Sequence, residues 1–430
     1  MARITTAALI SLSALAVVSA DSCSNIEKTA PSIGVASAYD ISYATVSNDY
    51  WSTSCAALKP ACVVFPSSSL EVAAIINILN GNSDNFAVKS GGHNANNHFS
   101  STKGGPLIST KNLNHVLLDN ETGIVQIGPG LRWDEVADEL NGSGWCVVGG
   151  RIGNVGVGGF MLGGGLSFMS QEYGWAASSV LEYEIVLANG TITTASVDNN
   201  PDLFKALKGG GNNFGIVTSY TVQAYQQGYV YGGVLSFVHS TETDTKLLRA
   251  IRDFTKYNTD SKAAIIPTAE RVLARRGPIT DTCKTRTFSE FVTNNNWAVL
   301  KDTVYNIGTE TIPLPADDNI NVLEAVHAHW RNVTDSVLLV GGLITNIAYQ
   351  PLPRRIAQIA QDRGGDLLDF DVNSDFVILE ISNSFLLQSD YDMMDITLQA
   401  AYNGVRQMVL AWQEDGTLDK ELNRTGGFKP

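Results

Sequence analysis

The segment that decides the fold is Lys89-Ser90-Gly91-Gly92-His93-Asn94, which directly follows the short apolar run Phe86-Ala87-Val88. An apolar run of this length predicts a buried strand. Glycine allows positive φ values and a close approach to a ligand, and consecutive exposed N–H groups form a concave site for phosphate. The segment therefore predicts an anion-binding loop at the end of a strand, with a histidine in the loop.

Two more glycine-rich segments follow in the same half of the chain. One contains Val155-Gly156-Val157-Gly158-Gly159 and continues to Gly165, and the other runs from Asp202-Leu203-Phe204 through Gly209-Gly210-Gly211 to Ile216-Val217. The first of them is not a Rossmann fingerprint, because no acidic residue follows a strand at the required distance, and no Gly-Lys-Ser/Thr makes it a Walker loop. A single glycine-rich loop can serve only to pack the chain, so the evidence for a binding site lies in the combination of all three.

In this order, the three segments resemble the vanillyl-alcohol-oxidase-type (PCMH-type) FAD-binding domain over residues 45–225, and within it the berberine-bridge-enzyme-like and fungal FAD-linked oxidases. The resemblance implies an α+β fold, with FAD between two subdomains and a separate substrate domain of antiparallel sheet covered by helices. It implies a covalent bond from His93 to the flavin 8α-methyl group. Further FAD contacts are implied for Ser90, Gly91, Gly92, Asn94, Asn154, Val155, Gly158, Gly159, Gly163, Gly164, Ile216 and Val217.

The chain also departs from the pattern of that family. Ile152 stands where bicovalent members carry a second flavin-linked cysteine, so the resemblance implies attachment through His93 only. Phe160 and Ser178-Ser179 replace polar residues that the family commonly has near the flavin. The stretch between Trp412 and the closing Gly426-Gly427-Phe428-Lys429 is short, which implies a reduced return segment to the cofactor domain.

Periodicity and composition divide the chain into four parts. Residues 1–20 contain Arg3, an apolar run and a small-residue cleavage site, which predict a signal peptide and secretion. Residues 21–227 form the predicted FAD-binding domain, 228–415 the substrate domain and 416–430 the shortened return segment. In the substrate domain we expect helices near Thr243–Tyr257 and Met393–Trp412, and strands at Val337–Ile347 and Phe376–Ile381.

Charge and cysteine content support this interpretation. A net charge of -14 argues against nucleic-acid or anionic-membrane partners, since both need a basic surface. Cys23, Cys55 and Cys62 cluster near the N-terminus, which predicts a disulfide between Cys62 and either of the others. The histidine pair at 327 and 329 lacks any supporting metal-ligand spacing, so we expect no metal. Glycan acceptor motifs begin at Asn120, Asn141, Asn189, Asn332 and Asn423.

Glu380 is the candidate catalytic residue. It is a carboxylate in the otherwise apolar run Phe376–Ile381, and burial there would raise its pKa and suit it to act as a base. It also falls near the catalytic carboxylate of berberine-bridge-like enzymes, although a solvent-facing residue is the alternative. The resemblance implies a secreted oxidase of a small natural-product intermediate, with dioxygen as the electron acceptor. A carbohydrate oxidase and a degenerate flavin-binding protein are the alternatives, and the oligomeric state stays open.

Overall fold

The computed structural model describes residues 20–82, 84–272 and 280–419. The predicted signal peptide therefore falls outside the described residues except for Ala20, as do Asn423 and the closing Gly426-Gly427-Phe428-Lys429. The described chain folds into the expected α+β arrangement, with two cofactor subdomains followed by a sheet-and-helix domain. Among the helices of these ranges, none has the length and apolarity to span a bilayer.

The first subdomain is a small mixed sheet with helices around it. Its strands run in the order β1-β2-β4-β3, with β2, β4 and β3 parallel. The Ser68 hydroxyl accepts a hydrogen bond from the Glu71 backbone and begins the helix that connects β2 to β3. The elements are α1 (Ala20–Thr29), β1 (Gly34–Ala36), α2 (Ile41–Asn48), α3 (Thr53–Ala57), β2 (Cys62–Phe65), α4 (Ser69–Asn80), β3 (Ala87–Lys89) and β4 (Pro106–Ser109).

The second subdomain is an antiparallel sheet in the order β5-β6-β10-β8-β9. β8 and β9 form a hairpin around Asn189-Gly190, and Gly190 has a φ of 78°. The elements are β5 (Val116–Asp119), β6 (Ile124–Ile127), α5 (Trp133–Glu139), β7 (Trp145–Cys146), α6 (Val157–Leu162), α7 (Ser170–Tyr173), β8 (Val180–Val186), β9 (Ile192–Ser196), α8 (Pro201–Leu207), β10 (Ile216–Gln223) and β11 (Tyr225–Gln226).

The remaining domain is a four-stranded antiparallel sheet, β13-β16-β17-β15, with helices α9, α11 and α13 packed on one face. The elements are β12 (Val230–Gly232), α9 (Thr241–Tyr257), β13 (Thr268–Val272), β14 (Lys284–Arg286), α10 (Phe288–Asn294), β15 (Val304–Pro313), α11 (Asn321–Asp335), β16 (Ile344–Leu352), α12 (Arg354–Asp362), β17 (Phe376–Phe385) and α13 (Tyr391–Asp415).

Alternation along β17 separates the two faces of this sheet. Val377, Leu379 and Ile381 are buried in the core beneath the helices, so Ile378 and Glu380 lie on the opposite face. That face is turned toward the first two subdomains, because Ile378 packs against a hydrophobic cluster that includes Trp175 of the second subdomain. Glu380 is the acidic residue of β17, and this alternation places it on the face that borders the region between the domains.

One strand prediction was wrong in its first half. Residues 337–343 form turns after α11, and the strand begins only at Ile344. Gly342 has a φ of 70°, which a strand does not accommodate. The apolar side chains Val337 and Leu343 pack into a small core cluster with Phe385. An apolar run thus marked burial correctly, but not strand geometry.

The structure pairs Cys23 with Cys62 across 39 residues of sequence, and leaves Cys55 as a buried thiol. The predicted role of Cys62 is confirmed, and its partner is Cys23. Closing a loop of this length restricts the unfolded chain, so we expect the Cys23→Ala/Cys62→Ala variant to lose about 3 kcal/mol of unfolding free energy in urea. Cys283→Ala, which removes a free and partly exposed thiol, should unfold at the wild-type midpoint. Equal midpoints for all three proteins would contradict the cross-link.

Candidate functional site

The two main glycine loops pack directly on each other. A Cβ atom added to Gly91 would lie 2.5 Å from the Gly156 nitrogen, and one added to Gly156 would lie 2.2 Å from the Gly91 nitrogen. Gly92 has a φ of 68°, which turns the chain toward His93. The glycines are therefore required by the close approach of two backbones, which brings two rows of N–H groups into one region.

This packing predicts a large effect of a single methyl group. We expect Gly91→Ala to force the loops apart, to lower the free energy of unfolding by about 2–3 kcal/mol, and to reduce the flavin content. Urea unfolding and the flavin-to-protein absorbance ratio measure the two effects. Gly341→Ala is the matched control, because an added Cβ meets no atom within 4 Å there. Wild-type stability and flavin content in Gly91→Ala would contradict the interlocked arrangement.

Ser90 joins the loops through its side chain. Its hydroxyl donates to the Pro129 carbonyl at 2.6 Å and accepts from the Gly158 N–H at 3.2 Å. The Gly158 carbonyl in turn accepts from the buried Tyr220 hydroxyl at 3.0 Å. Ser90 thus fixes the start of α6 against the end of β3.

Two cations lie beside these loops, and sequence reasoning assigned neither. Arg132 donates to the carbonyls of Gly91 and Asn154 and pairs with Asp49. Lys89 also approaches Asp49, at 3.9 Å, and burial lowers its pKa to about 8 although the Asp49 charge opposes the shift. One local feature could have singled out Arg132: it stands at the residue before helix α5, a position that a small polar residue usually occupies to cap the helix. Both cations favour an anion at the loops.

His93 lies where the loops meet the substrate-domain sheet. Its ring is 4.4 Å from that of Trp51, which is itself 4.7 Å from the ring of Tyr305 on β15. Burial lowers the pKa of His93 to about 4, an effect that the nearby Asn154 side chain opposes and the Arg132 charge reinforces. The imidazole is therefore neutral at physiological pH, with a free electron pair on one nitrogen.

Buried polar atoms without partners surround this histidine. His93 Nε2, Trp51 Nε1 and Asn154 Oδ1 are all buried and make no hydrogen bond to the described residues. Such atoms are rare in folded proteins, and they indicate a missing ligand or water. Gly159 adds open space next to the loop, because an added Cβ would meet nothing within 4 Å. The residues present at the glycine loops and around His93 therefore fit a flavin cofactor.

The segment after α10 holds the second glycine loop from the other domain. The Asn296 side-chain oxygen accepts from the Asn154 N–H at 2.7 Å, and its amide donates to Asp134 at 2.9 Å. Asn295 donates to the Arg151 carbonyl at 2.9 Å. Sequence reasoning missed both asparagines, because nothing in their local pattern marks them.

Opposite these loops, Glu380 is paired in register with Thr309 on β15 and Ala348 on β16. Burial raises the pKa of its carboxyl group, and the charge of Arg151 opposes the rise. The Arg151 guanidinium crosses from the loop to the sheet and donates to the Gln350 side chain. A carboxylate in this position can accept a proton from a molecule held between the loop and the sheet.

Several other residues predicted to contact the cofactor make contacts with the protein itself. Asn94 is exposed and caps its own loop through Asn96. Gly163 ends helix α6 and Gly164 packs on Leu368. The side chains of Ile216 and Val217 lie in two hydrophobic cores, while Val155 packs at the edge of one of them. Their roles in cofactor binding stay predictions.

The remaining histidines serve other contacts. His327 lies in the substrate-domain core, where its ring bonds to the Tyr349 hydroxyl at 3.1 Å, and His329 contacts the Ala401 carbonyl. Within the described ranges, no group of three or more His, Cys, Asp or Glu side chains is placed to hold a metal ion.

The chain is similar to known FAD-binding proteins. Residues 60–196 match the family model described as FAD binding domain. An uncharacterized FAD-linked oxidoreductase of Arthroderma benhamiae is 37% identical over 403 residues, covering 88% of this chain and 80% of the relative. The FAD-dependent monooxygenase drtC of Aspergillus calidoustus is 29% identical, covering 84% and 74%.

Solved structures share the fold. The crystal structure of 6-hydroxy-D-nicotine oxidase from Arthrobacter nicotinovorans superposes with a TM-score of 0.70 at 19% identity, covering 87% of this chain and 86% of that one. At this level of identity the likeness concerns the arrangement of the chain. It matches the α+β architecture expected from the three glycine-rich segments.

Proposed function

The chain belongs to the FAD-linked oxidoreductases, and from that premise we propose that it is an oxidase of a small organic molecule. In this proposal FAD is bonded covalently to His93 alone, and dioxygen takes up the electrons. When bound, FAD supplies a ring that accepts a hydride and passes its electrons on. The observation that carries the proposal is His93 Nε2, which is buried without a partner in the described part of the chain, at the junction of the glycine loops and the sheet that bears Glu380.

The protein's own residues would divide the work as follows. The loops at 90–93 and 154–158, with Arg132 and Lys89 beside them, would hold the pyrophosphate by N–H groups and positive charge. His93 would supply the nitrogen for the covalent bond, and Ile152 has no group that could form a second one. Glu380 would take a proton from the substrate.

The substrate class we propose is a natural-product intermediate of mixed polarity. The register places Ile307, Thr309, Ala348 and Ile378 on the same face of the sheet as Glu380. The same register adds Asn346, Gln350 and Ser382 to this face, so apolar and hydrogen-bonding side chains both surround the carboxylate. Such a face suits a substrate that combines apolar parts with polar groups, and a carbohydrate oxidase is the alternative.

We also propose that the protein is secreted and glycosylated. The Cys23–Cys62 disulfide is typical of an oxidising compartment. Four acceptor asparagines, Asn120, Asn141, Asn189 and Asn332, are exposed. Enzymatic removal of N-linked glycans from protein recovered from culture medium should increase its electrophoretic mobility, and an unchanged mobility would count against this proposal.

Peroxide formation tests the oxidase activity. The holoprotein is mixed with a panel of alcohols, phenols and oligosaccharides in air, and hydrogen peroxide is measured. We expect peroxide with members of the first two classes. Peroxide only with oligosaccharides would establish the carbohydrate alternative, and no peroxide with any compound, from a protein that retains flavin, would support the degenerate flavin-binding alternative.

A further inference from the structure

Arg151 has a position that its role in packing does not explain. It follows Gly149 and Gly150, which lie flat against the Trp133 ring, with added Cβ atoms 2.5 and 2.4 Å from that ring. Its carbonyl accepts from Asn295 at 2.9 Å. The backbone of Arg151 is therefore held in place, and its side chain extends from the loop to the substrate-domain sheet, where it donates to Gln350.

The guanidinium retains unused hydrogen-bonding capacity. Arginine has five N–H donors, and only the bond from Nη1 to Gln350 joins this group to the rest of the described chain. The side chain is enclosed by protein but is not fully buried. None of its other guanidinium nitrogens is among the fully buried, unpartnered atoms of the described residues, so these donors face an accessible part of the region between the domains.

Glu380 faces the same region without closing on Arg151. The two charges attract each other, yet no nitrogen of Arg151 comes within 4.0 Å of a Glu380 oxygen among the described ion pairs. The Arg151 guanidinium, which can only donate hydrogen bonds, and the Glu380 carboxylate, which can only accept them, thus face one region without bonding to each other. A hydroxyl group complements this arrangement, because its oxygen accepts and its hydrogen donates.

We propose that Arg151 and Glu380 together bind a hydroxyl group of the substrate, which restricts the site to alcohols, phenols or enols. The hydroxyl oxygen accepts from the Arg151 guanidinium, and the hydroxyl hydrogen is donated to the Glu380 carboxylate. Arg151 is thus a specificity-determining residue, held toward the substrate by Gln350. The inference rests on the proposed function and deepens it by naming the group that the site recognises.

Equilibrium binding of phenol and anisole to the holoprotein tests the inference. The two probes differ in that anisole carries a methyl ether and cannot donate a hydrogen bond. Dissociation constants are measured without oxygen, from the change in flavin absorbance. We expect the wild type to bind phenol at least tenfold more tightly than anisole, since hydrogen bonds to charged groups are strong.

In Arg151→Met, phenol affinity should fall about tenfold while anisole affinity changes less than twofold. Arg151→Lys keeps the charge and tests whether the planar donor fork is needed. We expect it to lose most of the preference for phenol, because lysine replaces the separated nitrogens of the fork with a single nitrogen on a flexible chain. Arg355→Met, at an exposed arginine of α12, is the matched control, and thermal unfolding checks that each variant is folded.

The inference is overturned if the wild type shows no preference for phenol, or if both Arg151 variants keep it. These results are separable from the peroxide test. Peroxide formation with an unchanged preference in Arg151→Met would leave the oxidase proposal standing without this inference. If the wild type prefers phenol and forms no peroxide, and Arg151→Met loses that preference, the results would support the binding site without the oxidase activity.

Discussion

After acid precipitation of the His93→Asn variant, all of the flavin absorbance is expected in the supernatant, whereas the wild-type pellet stays yellow. The variant removes an imidazole whose pKa is lowered to about 4 by burial and whose buried Nε2 has no hydrogen-bond partner among the described residues. An asparagine amide is not a nucleophile, so it cannot form the bond to the flavin. The measurement is an absorption spectrum of pellet and supernatant.

His98→Asn is the matched control for this result. His98 lies in the same loop region but is exposed, and its φ of 72° is tolerated by asparagine. The wild-type distribution of colour is expected there. Yellow pellets from His93→Asn would place the covalent bond elsewhere, and yellow supernatant from the wild type would mean that FAD binds without a bond to His93.

In Glu380→Gln, the rate of flavin reduction by the best substrate of the panel should fall by about 10²- to 10⁴-fold. Glutamine preserves the shape of the side chain but cannot accept a proton. Burial raises the pKa of this carboxyl group, which favours proton uptake, and the charge of Arg151 opposes the rise. Anaerobic stopped-flow absorbance of the flavin measures the reduction step alone.

Glu270→Gln supplies a matched control, because Glu270 pairs with Asn346 on the same face of the sheet but is exposed on edge strand β13. Its reduction rate should stay within about twofold of the wild type. A wild-type rate in Glu380→Gln would remove Glu380 from catalysis. Equal losses in both variants would point instead to a general effect of charge on that face.

Short-range patterns predicted much of the fold. The strand expected just before Ser90 forms as β3, and the helices expected near Thr243–Tyr257 and Met393–Trp412 form as α9 and α13, because a short apolar run and helical spacing are local patterns. The wrong strand prediction at residues 337–343 arose because the shape of the backbone there is not set by a local pattern. An apolar run reports burial, and the positive φ at Gly342 that bends the chain there depends on its packing against Leu386.

The sequence by itself determined the two glycine loops and the histidine between them, because the lack of a side chain and the presence of an imidazole are local properties. Only the tertiary structure decided what surrounds them. Trp51 stacks on His93, Asn296 holds the loop at Asn154, and Arg151 reaches Gln350 across 199 residues of sequence. Alternation along a strand divides its side chains into two faces, but which face meets the cofactor depends on how the domains pack.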